Sequence, residues 1–96
     1  MYERPVKITY DRYFEKDVKK LSPRIQTKLS ALLEIAQDNI IDNRLHTKSL
    51  NPPLSRLFSF RITRDYRVAF IFTATDSVRL LIADRRDKIY KRLAQR

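Results

Sequence analysis

The 96-residue sequence predicts a small two-layer α+β domain, β-α-α-β-β-β-α, with an antiparallel meander sheet covered on one face by a helical hairpin. Three observations carry this prediction. Apolar residues recur at helical spacing from Phe14 to Ile40, interrupted at Ser22-Pro23. Three alternating apolar–polar runs follow, joined by short polar links. The 43% hydrophobic content supplies one core, and the length leaves no chain for a second, so residues 1–96 are read as a single domain.

Each element has a local reason. Val6-Lys7-Ile8-Thr9-Tyr10 alternates between Pro5 and Asp11 and reads as a first strand, and Asp11 can cap the next helix. Phe14, Val18 and Leu21 form one helical stripe. Ser22 followed by Pro23 is a helix start, and Ile25, Leu29, Leu32, Leu33, Ala36 and Ile40 extend the second helix to about residue 40. The tight Ser-Pro joint makes the two helices a hairpin. Residues 42–55 have no period, and Asn51-Pro52-Pro53 marks a loop. Leu57–Ile62, Tyr66–Phe72 and Val78–Asp84 read as three antiparallel strands, and Arg86 to about Leu93 as a final helix.

Composition excludes several function classes. The absence of cysteine rules out disulfides and thiolate metal sites, and a single histidine rules out a multi-histidine site. The absence of glycine removes the P-loop and the dinucleotide fingerprint. No cofactor or metal is therefore expected. No apolar run approaches the roughly 18–20 residues of a membrane span. Met1-Tyr2-Glu3-Arg4-Pro5 does not read as a signal peptide, so a cytoplasmic protein with no membrane partner is expected.

The formal net charge is +10. Residues 1–50 hold 10 Lys/Arg against 7 Asp/Glu, whereas residues 51–96 hold 11 against 4, and nine of those eleven cations are arginine. Arginine's planar fork matches phosphate oxygens, so the bias points to nucleic acid or another acidic macromolecule. Strand alternation sharpens this. Phe58, Phe60 and Ile62, then Tyr66, Val68, Phe70 and Phe72, then Val78, Leu80 and Ile82 form the apolar sets expected under the hairpin. Arg61, Arg67, Arg79 and Arg85 then project from the opposite face, with Ser59, Ala69, Ile71, Leu81 and Ala83. Tyr10, Tyr13 and Phe14 are read as core residues, and His46 as a solvated loop residue.

Lys48-Ser49-Leu50, Pro53-Leu54, Leu57–Ile62, Asp65-Tyr66-Arg67-Val68 and the run from Asp84 through Arg85, Arg86, Asp87, Lys88, Ile89 and Tyr90 to Lys91 resemble the RelE/ParE superfamily of type II toxins, in its RelE-like branch. The resemblance covers nearly the whole chain. It implies the toxin of a type II toxin–antitoxin system, a ribosome-dependent mRNA endonuclease that uses 2′-OH attack without a metal. Carried over by position, it implies catalytic roles for Arg61, Arg67, Tyr90 and a late arginine. Arg86 matches that arginine by distance to Tyr90, and Arg85 matches by strand phase. Lys48, Arg56, Ser59, Arg64, Arg79, Lys88 and Lys91 complete the expected RNA-binding set. Ser59 departs from the family, standing where one of two strand lysines falls, and the C-terminal histidine of some members has no counterpart. The implied partners are mRNA, the ribosome and a cognate antitoxin, whose acidic or amphipathic segment wraps the hairpin in a hetero-oligomer.

RNA cleavage needs a base for the 2′-OH, cations for the phosphorane and an acid for the leaving 5′-oxygen. Guanidinium groups suit the second task and are poor bases. Tyr90 is the candidate base, with Arg61 assisting the 2′-oxygen or the scissile phosphate; no residue type identifies the acid. Two other functions fit the same chain: a ParE-type inhibitor of DNA gyrase, and a non-catalytic basic module that binds RNA or the ribosome.

Overall fold

Two short polar side chains set the helical hairpin. In the computed structural model, which describes residues 5–95, the Asp11 carboxylate accepts the Tyr13 N–H at 2.9 Å and opens α1 (Arg12–Lys20). Ser22 Oγ accepts the Ile25 N–H at 3.3 Å and opens α2 (Pro23–Asp38), with Pro23 where a missing N–H costs no hydrogen bond. The Gln26 side-chain amide donates to the carbonyls of Val18 and Leu21 at 2.6 and 3.1 Å, joining the Leu21 N–H that Val18 already accepts at the end of α1. Met1–Arg4, part of the stretch read as no signal peptide, lies outside the described residues.

The strands are β1 (Lys7–Tyr10), β2 (Lys48–Ser49), β3 (Phe58–Arg61), β4 (Tyr66–Ala74) and β5 (Ser77–Arg85), followed without a loop by α3 (Arg86–Ala94). They form one sheet in the order β1-β5-β4-β3-β2. The α+β architecture and the helical hairpin are as the sequence predicts, with two refinements. First, β1 joins the sheet edge parallel to β5, because the hairpin carries the chain across the face before the antiparallel strands begin. Second, the stretch read as loop holds a 3-10 turn (Asn43–Leu45) and the two-residue β2 beside β3.

Hydrophobic burial divides at the sheet. On the hairpin side Phe14, Leu29, Leu32 and Ala36 pack on Phe60, Ile62, Val68, Phe70, Val78 and Leu80. The other side, expected to be an arginine face, carries a second apolar cluster of Leu50, Ala69, Ile82, Ile89 and Leu93, supplied by α3 and the loop after β2. The β5 pattern is corrected accordingly. Ala69 pairs with Ile82 but Phe70 pairs with Leu80, so Leu81 is an extra residue in a β-bulge. The bulge reverses the alternation beyond it. Ile82 turns away from the hairpin, Ala83 turns toward it, and Arg85 lands on the hairpin side. The core expectation holds for Phe14, which is 3% exposed, while Tyr13 is 50% exposed and Tyr10 stacks on Phe14 from the surface at 5.6 Å.

Past Tyr10, β5 has no strand on its outer edge, and α1 supplies the missing acceptor. Buried Asp17 accepts the Ala83 N–H at 2.9 Å and pairs with Arg92 at 2.8 Å, and Arg92 also reaches Asp84 at 3.1 Å. One carboxylate thus ties α1, β5 and α3 together. Asp17→Ala is expected to destabilise the fold by about 2 kcal/mol, mostly because the Ala83 N–H is left buried and unpaired. Thermal melting should show Tm falling by roughly 10 °C. An unchanged Tm would mean that the strand edge does not need this group.

Candidate active site

The site is assembled where β3, β4 and α3 meet. Arg61 on β3 lies directly opposite Arg67 on β4, so both side chains leave the same face of the sheet. Ser59, two residues earlier on β3, shares that face and lies opposite Lys48 of β2. On the other flank, the Arg86 N–H donates to the Asp65 carbonyl at 2.8 Å and anchors the first turn of α3 beside the β3–β4 turn. Arg86 and Tyr90 are four residues apart on α3 and project together, while Ile89 and Leu93 enter the second apolar cluster. The Tyr90 hydroxyl accepts the Asn51 backbone N–H at 2.9 Å, which pins the loop after β2 to α3.

These elements enclose a cleft of about 270 Å³. Lys48, Ser59, Arg67, Arg86, Asp87 and Tyr90 line it over the apolar Leu50 and Ile89. Arg67 is partly buried in the wall. Burial, then repulsion from Arg61 and Arg86, lowers its pKa below the usual guanidinium value, and Tyr90 partly offsets this. Among the described residues Lys48, Arg61, Arg67 and Arg86 have no carboxylate within ion-pair distance, whereas Arg44, Arg79 and Arg85 each have one and Arg92 has two. The acid on the cleft rim, Asp87, lies 3.6 Å from Arg85. Cations thus gather in this cleft without an ion-paired carboxylate among the described residues. Among the described residues no group of three His, Cys, Asp or Glu could hold a metal ion.

The candidates separate by position. Arg61, Arg67, Arg86 and Tyr90 come together, with Lys48 and Ser59 beside them. Arg85 does not join them. Its guanidinium lies 6.0 Å from the Tyr66 ring centre on the hairpin side, where the Tyr66 hydroxyl and then Asp87 raise its pKa. Of the two late arginines, Arg86 lines the cleft and Arg85 does not, because the β5 bulge turns Arg85 away. Arg79, opposite Ile71, lies four residues along the sheet from the level of Arg67, about 13 Å, and pairs with Asp11 at 3.7 Å. Arg64 lines a groove with Arg24 and Lys28, and Lys88 one with Lys20 and Arg85. Arg56 and Lys91 are exposed and line no part of the cleft. His46 ends the 3-10 turn in the left-handed region and is exposed. Asn51 is a site residue that sequence reasoning missed: it acts through its backbone N–H, which no residue type signals.

No model of a known protein family matches the sequence, and no curated protein matches it. Solved structures do match. The chain has the RelE/ParE-like toxin fold. Similar structures include a YoeB/ParE toxin from Agrobacterium tumefaciens (14% identity, TM-score 0.70, covering 83% of this chain and 98% of that one). YafQ from Escherichia coli aligns at 17% identity and TM-score 0.72 over 88% of this chain and 98% of that one. A chain of the RelBE2 toxin–antitoxin complex from Mycobacterium tuberculosis aligns at 25% identity and TM-score 0.67, with the same coverage of both chains.

Proposed function

We propose that this single-domain chain is the toxin of a type II toxin–antitoxin system, and that it cuts mRNA on the ribosome in the cytoplasm. The observation that carries the reading is the convergence of Arg67, Arg86 and Tyr90 on one cleft, with Arg61 directly opposite Arg67 and no carboxylate paired to the three arginines among the described residues. The similar folds support it: they include toxins, and complexes with RelB and DinJ antitoxins.

The chemistry follows from the residue types. A phosphodiester enters the cleft and supplies the anion that the arginines lack. Tyr90, acting as the phenolate whose oxygen accepts the Asn51 N–H, takes the proton of the 2′-OH and becomes the phenol. The 2′-oxygen attacks the adjacent phosphorus, the P–O5′ bond breaks, and a 2′,3′-cyclic phosphate remains. Arg67 and Arg86 bear the charge that grows on the phosphorane oxygens, and Arg61 orients the 2′-oxygen or the phosphate. Charge on the leaving 5′-oxygen is held by the same arginines until water protonates it to the 5′-OH, and the Tyr90 phenol returns its proton to solvent. A cognate antitoxin that orders on binding would silence the chain by covering this surface.

The test is purified chain with mRNA, with and without ribosomes. Cuts within codons, cyclic-phosphate ends and intact mRNA in the absence of ribosomes are expected, and a 2′-deoxy substitution at the cut should block it. Broken DNA with intact mRNA on expression would replace this reading with a gyrase poison. Binding without any cut would leave only a basic module. Arg86→Ala should slow cleavage by about 10²-fold, while Arg85→Ala should leave the rate nearly unchanged; the reverse order would overturn the assignment of the late arginine.

A further inference from the structure

Among the described residues two buried side-chain polar atoms lack a hydrogen-bond partner, Ser59 Oγ and Arg61 Nε. Buried polar atoms are nearly always paired, so two orphans at alternate positions of one four-residue strand require a reason. Packing does not provide it. Ser59 is 0% exposed and lies opposite Ala69, and alanine would fill that position without burying a hydroxyl. Both orphan groups can donate a hydrogen bond, both lie on the cleft face, and Lys48 lies directly opposite Ser59 with no ion pair among the described residues. Two unmet donors beside an unpaired ammonium match an oxyanion.

We infer that Ser59 Oγ, Arg61 Nε and Lys48 form a second phosphate subsite, which holds the backbone phosphate next to the one being cut. The inference rests on the reading of the cleft as an RNA site. It divides the cleft in two. Arg67, Arg86 and Tyr90 take the scissile phosphate, and the Lys48–Ser59 side takes its neighbour, with Arg61 between them using different N–H groups of one guanidinium. The ligand recognised is then a strand with at least two consecutive phosphates, so register along the RNA is set by backbone spacing.

Ser59→Ala tests this with inorganic phosphate as the probe, followed by NMR and thermal melting. In the wild type, phosphate should shift the Lys48, Ser59 and Arg61 signals saturably and raise Tm. Ser59→Ala should melt at the same temperature or higher without phosphate and bind phosphate about tenfold more weakly. Lys48→Gln, an exposed change that does not disturb the core, should weaken binding as well. Uncleavable 2′-deoxy oligonucleotides supply the second arm: the wild type should gain affinity from a dinucleotide with one phosphate to a trinucleotide with two, and Ser59→Ala should lose that gain. Equal phosphate binding by wild type and Ser59→Ala, no binding by the wild type, or a Tm several degrees lower in Ser59→Ala would overturn the subsite. Failure to cut mRNA would defeat the cleavage reading while leaving these binding results intact.

Discussion

Tyr90→Phe is expected to slow RNA cleavage by about 10²–10⁴-fold, the usual range for loss of a positioned proton acceptor. The change removes one oxygen and keeps the ring, so the packing of α3 through Ile89 and Leu93 is preserved. It also removes the acceptor of the Asn51 N–H, but Tyr90 is 40% exposed and water can take that place. Binding of a 2′-deoxy substrate analogue should therefore stay close to wild type while single-turnover cleavage collapses. Cleavage at an undiminished rate would remove Tyr90 from the proton path and reduce it to a strut between the loop and α3.

Arg67→Ala is expected to lower cleavage by about 10²–10³-fold, the cost of deleting one preorganised donor to a developing oxyanion. Here the protein itself should not suffer. Arg67 faces Arg61 across the β3–β4 pair, and like charges directly opposite one another destabilise a sheet. Burial and the repulsion from Arg61 and Arg86 both work against its charge in the free protein. Removing it relieves that repulsion, so Tm should hold or rise as activity falls. A bound phosphate reverses the sign by supplying the absent anion, so phosphate should stabilise the wild type more than Arg67→Ala. A variant that melts earlier would mean that Arg67 supports the fold by its stem, as long arginine side chains can.

Much of this was legible in the linear chain because it depends on near neighbours. The helical hairpin follows from apolar spacing, and Asp11 and Ser22 cap it where the sequence placed them. Strand positions were legible to within a few residues for the same reason. Arg61 and Arg67 could be paired on one face because no bulge interrupts the β3–β4 register. Arg85 could not be placed this way. Its face depends on Leu81, one surplus residue in β5, and a bulge belongs to the pairing of two strands, so it is invisible in either strand alone. The second apolar cluster was missed for a related reason: Leu50, Ile89 and Leu93 come from a loop and a helix that meet only when the chain closes over Ala69 and Ile82.

The sequence by itself determined the layered architecture, the basic excess of the second half and the residue types available for phosphate chemistry, since each is a property of composition or local period. Only the tertiary structure decided that Arg86 joins Arg67 and Tyr90, that Arg79 and Arg85 turn to other partners, and that Ser59 and Arg61 carry buried donors with no partner among the described residues. The physical reason is range: the side chains at issue are carried by β2, β3, β4 and α3, and their meeting depends on strand register and on the packing of one helix, neither of which a window of neighbouring residues contains.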